Sequence, residues 1–128
     1  MEKEIIFRIH LQHVFTGKII FKEFTYGEIF SGNAIRILKN IYFKYYVIGK
    51  SEFTGRYDSK GNRIYENDII DFDEKEWGSN SHFHIVTWDN KESKWCFGGG
   101  TASDMHYRTV IGNKFDNPVT VGYMYMLK

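Results

Sequence analysis

Short runs of alternating apolar and polar residues, separated by turn residues, recur along this chain of 128 residues. The clearest example is FHIVTW at 83–88, which is followed by the turn DNKES and then by KWCF at 94–97. Alternation puts successive side chains on opposite faces of a strand, so this pair of runs predicts a β-hairpin. Aromatic residues make up 18% of the chain, and their rings pack well on pleated sheets. The sequence therefore predicts an all-β protein.

The N-terminal part contains a second predicted hairpin and one ambiguous segment. IIFRIHL at 5–11 and IIFKEF at 19–24 are typical of strands, and Thr16-Gly17-Lys18 between them is typical of a turn. The segment AIRILKNIYFKYYVI at 34–48 is long enough for a helix. Its Ile, Tyr, Phe and Val residues favour strands, so it is predicted as one or two strands.

The length of the chain fits one domain with a real core. Further strands are predicted at 69–72, 106–112 and 119–124, and many short strands with turns between them indicate a sandwich or small barrel. We predict a single domain in which residues 1–50 form N-terminal strands and residues 51–128 form a barrel-like core.

Charge and cysteine content exclude several classes of protein. The formal net charge is +1, from 17 basic and 16 acidic residues, so the balance does not support a nucleic-acid partner. A single cysteine excludes an internal disulfide and favours a reducing compartment. No apolar run approaches the roughly 20 residues of a membrane span, and the N-terminus does not resemble a signal peptide. We predict a cytoplasmic protein without a membrane partner.

The stretch TGRYDSKGNRIYENDII at 54–70 places Glu66 and Asp68 directly before an apolar strand. Two such carboxylates could form a catalytic pair, a cation site or the hydrogen bonds of a turn. Aspartate side chains accept bonds from nearby backbone amides, and this explains the position of Asp68 without a ligand. Asp58 and Gly61 fit the preceding turn in the same way. We interpret Asp58, Gly61, Asn67 and Asp68 as structural turn residues.

This stretch resembles a segment of the YopX family, T-G-x-x-D-x-x-G-x-x-I-Y-E-G-D-I-(I/V). The positions that fit are Thr54, Gly55, Asp58, Gly61, Ile64, Tyr65, Glu66, Asp68, Ile69 and Ile70. Asn67 stands where the family usually has glycine, and asparagine is the residue that next most readily adopts a positive φ.

Two further segments resemble the same family. They are Ile6-Phe7-Arg8 near the start, and Val110-Ile111-Gly112-Asn113 with Asp116-Asn117-Pro118. The resemblance implies an all-β fold with a small SH3-like barrel core, here with an additional N-terminal β-hairpin region, in a protein of phage or prophage genomes. The family has no established activity, so the resemblance implies no catalytic residues.

Residue types that bind metals or act as nucleophiles lack a diagnostic pattern. His82 and His84 share a strand face, but no third ligand has zinc-site spacing. Cys96 lies between Trp95 and Phe97, where packing is the expected role. We therefore predict no metal, no cofactor and no catalytic residue.

Basic residues cluster around one tyrosine in the quoted stretch. Arg56, Lys60 and Arg63 surround Tyr57, and such a loop could contact phosphates while the ring stacks on a base. A solvated turn is the alternative. We predict a non-enzymatic phage or prophage accessory protein that acts by binding a host or phage protein, with a weak nucleic-acid-binding barrel as the alternative function.

Residues 41–48, IYFKYYVI, are apolar or aromatic on both faces of the predicted strand. A strand of this kind is either covered on both sides or needs a partner, and one small domain has little left to cover it twice. We therefore predict a closed homo-oligomer, with residues 41–48 or the N-terminal hairpin at the contact. Sedimentation equilibrium at micromolar concentration measures this directly, and a single monomeric species would contradict it.

Overall fold

The computed structural model of the protein describes residues 5–71, 83–97, 100–101 and 108–117. These ranges contain nine strands and two short helices. The chain divides into two compact units, Met1–Phe53 and Thr54–Lys128. Neither helix in the described ranges has the length and apolar character that a membrane crossing requires.

The first unit is built on an antiparallel hairpin. Strand β1 (Ile6–His13) pairs with β2 (Ile19–Thr25) without a break in register. The turn between them closes with a bond from the His13 amide to the Lys18 carbonyl, and Gly17 there has a φ of +72°. On its other side β1 pairs with the first part of β3 (Tyr45–Tyr57), with a bulge between His10 and Leu11. The predicted N-terminal hairpin is confirmed.

Two helices connect β2 to β3, and here the prediction of one or two strands over 34–48 is wrong. Helix α1 (Tyr26–Phe30) is followed by α2 (Asn33–Asn40), and only the end of the segment, from Tyr45, belongs to β3. Ala34, Ile37 and Leu38 recur at spacings of three and four, the period of a helix face. This period outweighs the strand propensity of the individual residues, because propensity is a weak preference that packing overrides.

The start of α1 has a capping box that the sequence contains in plain form. The Thr25 hydroxyl accepts a bond from the Glu28 amide at 3.2 Å, and the Glu28 carboxylate accepts one from the Thr25 amide at 3.0 Å. A threonine followed three residues later by glutamate is the signature of this cap. The bonds satisfy amide donors that would otherwise lack a partner at the start of a helix.

The second unit contains a five-stranded antiparallel sheet. Its strands are β5 (Asp68–Asp71), β6 (Phe83–Asp89), β7 (Lys94–Phe97), β8 (Gly100–Thr101) and β9 (Val110–Asn113), in the order β8-β7-β6-β5-β9. The predicted hairpin of β6 and β7 is confirmed, with Trp88 opposite Trp95 and their ring centroids 5.0 Å apart.

The other sheet has the order β2-β1-β3-β4, where β4 is Arg63–Tyr65. Strand β3 runs through the boundary after Phe53. The structure consists mostly of strands in two antiparallel sheets and has few helical residues, so the all-β class is confirmed. The SH3-like barrel and the single domain remain predictions. The strand expected at 119–124 lies outside the described residues.

A small apolar cluster forms the core of the second unit. Ile64, Ile70, Val86 and Phe97 are buried together, and Trp95 and Val110 pack against them. These side chains come from β4, β5, β6, β7 and β9, so the cluster holds strands together that are far apart in the chain. Burial of this kind is the main favourable contribution to folding.

Two isoleucines on the paired strands β5 and β9 provide a matched test of this core. Ile70 has no exposed surface, whereas Ile111 is 47% exposed. Ile70→Ala is expected to lower the free energy of unfolding by about 2–5 kcal/mol, because it leaves a cavity. Ile111→Ala is expected to stay within about 0.5 kcal/mol of the wild type. Urea denaturation of both variants measures the difference, and equal losses would contradict the assignment of the core.

Candidate functional site

Asp58 lies at the centre of the turn that joins β3 to β4. Its Oδ1 accepts bonds from the backbone amides of Lys60 at 2.9 Å and Asn62 at 2.8 Å. Its Oδ2 accepts bonds from the Asn62 side chain at 3.3 Å and from the Val110 amide at 3.0 Å. The last bond reaches 52 residues along the chain. One carboxylate therefore orders its own loop and ties that loop to the start of β9.

Neighbouring bonds strengthen this connection. The Ser59 amide donates to the Arg108 carbonyl at 2.8 Å, and the Ser59 hydroxyl lies 2.9 Å from the Thr109 hydroxyl. Gly61 has a φ of +83°, a backbone conformation that residues other than glycine rarely adopt. The loop is thus held at several points rather than by one contact.

The hydrogen bonds of Asp58 also set its protonation. Burial of the carboxyl raises its pKa, but the amides of Val110, Asn62 and Lys60 and the Asn62 side chain favour the charged form. Together these bonds outweigh burial, so the pKa of Asp58 lies below the ordinary aspartate value. The group is a charged acceptor at neutral pH, with its oxygens directed at N–H groups of the fold.

The turn between β4 and β5 uses a second buried aspartate. Asp68 is 1% exposed, and its Oδ2 accepts a bond from the Tyr65 amide at 2.8 Å. Asn67 has a φ of +71°, its amide donates to the Val86 carbonyl at 2.9 Å, and its carbonyl accepts from Lys114 at 3.0 Å. This turn is therefore bonded to both β6 and the residue after β9.

The four residues of the predicted binding loop all lie on the β3–β4 hairpin. Arg56 and Tyr57 end β3, Lys60 is in the turn, and Arg63 begins β4. Arg56, Tyr57 and Lys60 are exposed and Arg63 is half-buried. Because successive side chains in a strand point to opposite faces, Arg56 and Tyr57 face apart. The hairpin brings the four together, but strand geometry does not put them all on one face, and their role remains a prediction.

The first unit contains a groove that the sequence did not predict. The sequence did predict a contact at residues 41–48, three of which line this groove. It is an open depression of about 320 Å³ beside α2, and we call it the α2 groove. It is lined by Ile35, Leu38, Lys39, Tyr42, Phe43 and Tyr45. The signal for it in the sequence is the helical period of α2, which brings Ile35, Leu38 and Lys39 to one side.

Lysines surround the α2 groove. Lys39 is part of its lining, the Lys22 Nζ lies 5.3 Å from the centroid of the Tyr42 ring, and the Lys44 Nζ lies 5.8 Å from that of Phe43. Among the described residues none of these three lysines forms an ion pair. The groove therefore combines apolar walls with positive charge.

Residues that could hold a metal do not cluster in the described part of the chain: no group of three or more His, Cys, Asp and Glu side chains occurs there. His82 and His106 lie outside it. The buried His10 Nε2 lies 2.9 Å from the Ser51 hydroxyl. Cys96 is half-buried, with its Sγ 3.5 Å from the Thr87 hydroxyl.

Comparison with models of protein families identifies the class to which this chain belongs. The family model described as "YopX protein" matches residues 40–121, which include both turns and β9. The chain belongs to the YopX family.

The other comparisons add little to this. No curated protein matches the chain. Among solved structures, the chain is similar to the crystal structure of protein EF1440 from Enterococcus faecalis, with 15% identity and a TM-score of 0.48, over 89% of this chain and 95% of that one.

The Asp58 bonds predict a pH-dependent effect of substitution. Because the pKa of Asp58 is lower in the folded than in the unfolded protein, the charged carboxylate stabilises the fold. This contribution is fully present above the unfolded aspartate pKa of about 3.9 and is lost as the pH falls through the lower pKa of the folded protein. Asp58→Asn is expected to cost about 1–3 kcal/mol at pH 7, because an amide donor would face backbone donors. The gap to the wild type should shrink below about pH 4.

Asp89→Asn is the matched control, since the bonds that Asp89 accepts within the described residues are the exposed ones of the β6–β7 turn, from Lys91 and Glu92. It is expected to change stability by less than about 0.5 kcal/mol, because asparagine also fits such turns. Thermal melts of the three proteins from pH 3 to pH 7 measure both effects. A difference between Asp58→Asn and the wild type that is constant over this range would contradict the role of the charge.

Proposed function

We propose that the protein is a non-enzymatic phage or prophage accessory protein that acts in the bacterial cytoplasm by binding another protein through its first unit. The observation that carries this proposal is the exposed apolar surface of that unit. Eleven large apolar or aromatic side chains are exposed between Ile5 and Val47, among them Phe15 at 82%, Phe30 at 80% and Phe43 at 69%. Apolar side chains exposed in this number on a small unit indicate an interaction site.

The backbone route from α1 to β3 accounts for part of this exposed surface. Two short helices, rather than a paired strand, connect β2 to β3, and only Ala34 of the two helices is buried. Exposed Ile35, Ile41 and Phe43 therefore remain available to a partner. Aromatic side chains are also the residues that contribute most at the centres of interfaces.

The non-enzymatic part of the proposal is supported by the bonds of the two buried aspartates. Asp58 and Asp68 accept backbone N–H bonds that order turns, which is a structural use of a carboxylate. A second copy of this chain is one candidate for the partner, because Tyr46 and Val47 within the predicted contact segment 41–48 are exposed.

Weak nucleic-acid binding by the β3–β4 hairpin is the second candidate function. The observation in its favour is Tyr57, which is 47% exposed next to the exposed Arg56. Exposed rings beside cations can stack on bases. We place this candidate second because Arg56 and Tyr57 face opposite sides of the strand.

Photo-crosslinking tests the proposal at defined positions. The photoreactive residue p-benzoylphenylalanine replaces Phe15, Phe30 or Phe43 one at a time, and the chain is irradiated in bacterial cells. We expect covalent protein adducts at one or more of these sites, since the side chains lie on the proposed binding surface. Mass spectrometry of the adducts separates a second copy of the chain from another protein.

The same probe at Lys91, in the exposed β6–β7 turn, is the control and is expected to give no adduct. The absence of protein adducts at all three phenylalanine positions would overturn the proposal. If the probe at Tyr57 then gave nucleic-acid adducts, the second candidate would replace the first.

A further inference from the structure

We infer that the α2 groove binds an acidic, amphipathic peptide segment of the partner, an inference that rests on the proposed function and names the chemistry of the partner. The groove has apolar walls for an anchoring side chain and positive charge for acidic neighbours of that anchor. Each of these two properties follows from separate observations.

The apolar part of the groove is already arranged before anything binds. Tyr42 and Tyr45 pack edge to face with centroids 5.9 Å apart, and His13 packs edge to face on Tyr45 at 4.9 Å. Tyr42 and Tyr45 are half-buried, while Ile35 and Phe43 are exposed. A volume of about 320 Å³ lies near the lower end of the range for ligand pockets, roughly 300–1,000 Å³. It suits an apolar side chain presented by a helix or an extended segment.

The chain segment that forms the α2 groove carries charge of one sign. From 29 to 51 the chain contains Arg36, Lys39, Lys44 and Lys50 and no acidic residue. Lys22, Lys39 and Lys44 are at the groove itself and form no ion pair within the described residues. Complementary charge on a partner would steer its approach and select against basic segments. The groove therefore favours carboxylates beside the anchor.

The ring contacts favour a peptide over a single-stranded nucleic acid. Base stacking needs an open ring face, but Tyr42 and Tyr45, two of the three rings that line the groove, are half-buried. Tyr42 also meets Tyr45 edge to face. The remaining apolar walls, Ile35 and Leu38, are aliphatic and pack on apolar side chains rather than stack on bases.

Selection of random 12-residue peptides on the full chain tests this inference. We expect the enriched peptides to carry Asp or Glu on both sides of an aromatic or large aliphatic residue. One such labelled peptide is then titrated by fluorescence polarisation, beside a version in which Asn and Gln replace its acids. Loss of the acids is expected to weaken binding and to abolish its salt dependence.

Charge reversal on the protein gives the matching measurement. Lys39→Glu with Lys44→Glu is expected to weaken binding of the acidic peptide by about two- to thirtyfold. Lys18→Glu with Lys91→Glu makes the same change in net charge at two exposed turn positions and should leave binding unchanged. Circular dichroism melts verify that each variant is folded.

Apolar substitutions place the peptide in the groove. Ile35→Ser with Phe43→Ser should abolish binding, whereas Trp88→Ser with Ile111→Ser, at two exposed positions of the second unit, should preserve it. The enriched peptides could instead be neutral or basic and still lose binding to the Ile35→Ser and Phe43→Ser variant. That result would overturn the inference about acidic peptides and leave the proposed function standing.

Three other results would also overturn the inference. They are a failure of any peptide to be enriched, binding that ignores Ile35 and Phe43, and binding of a labelled oligothymidylate that is lost with Lys39→Glu and Lys44→Glu. The proposed function itself fails only if the crosslinking probes at Phe15, Phe30 and Phe43 give no protein adduct.

Discussion

The carboxylate of Asp58 is the interaction on which the order of the second unit depends. Four N–H groups, three from its own loop and one from Val110, converge on two oxygen atoms. A neutral acceptor would satisfy fewer of these donors, and charge-assisted bonds are the stronger kind. The bond to Val110 joins the turn after β3 to the start of β9, and β9 pairs with β5 beside the apolar cluster. The turn after β3 is therefore bonded to a strand that contributes to the apolar core.

The first unit has a different balance between backbone order and side-chain burial. Its hairpin is regular and its helix α1 is capped, yet much of its apolar surface remains exposed. Its buried side chains, Ile6, Leu11, Phe24 and Phe53, supply the apolar burial that favours folding, while the exposed rings and aliphatic side chains add little to it. This surplus of apolar surface, bordered by lysines, is the basis of the proposed binding function. The second unit contains the two turns that Asp58 and Asp68 order, and both turns lie within the residues that match the YopX model.

The strands were predictable because their signal is local. The runs 5–11 and 83–88 alternate, the runs 19–24 and 94–97 each follow a predicted turn, and the four runs coincide with β1, β2, β6 and β7. Helix α2 was not predicted, because its residue types favour a strand whereas the spacing of its apolar residues favours a helix. The strand propensity of isoleucine and tyrosine was the weaker indication. The capping box of Thr25 and Glu28 was a usable sign of a nearby helix. The α2 groove could not be predicted once that segment was assigned to strands.

The sequence by itself determined the all-β class, two hairpins and membership of the YopX family, since alternation, turn residues and the Thr54–Ile70 motif are local properties. The residues of the turns were also visible there, because aspartate, asparagine and glycine have specific uses in turns. Only the tertiary structure decided which amide the Asp58 carboxylate reaches beyond its own loop, since Val110 is 52 residues away. It also decided that Tyr42, Phe43 and Tyr45 line a groove with α2, because the position of a side chain beside a helix depends on how the whole segment packs.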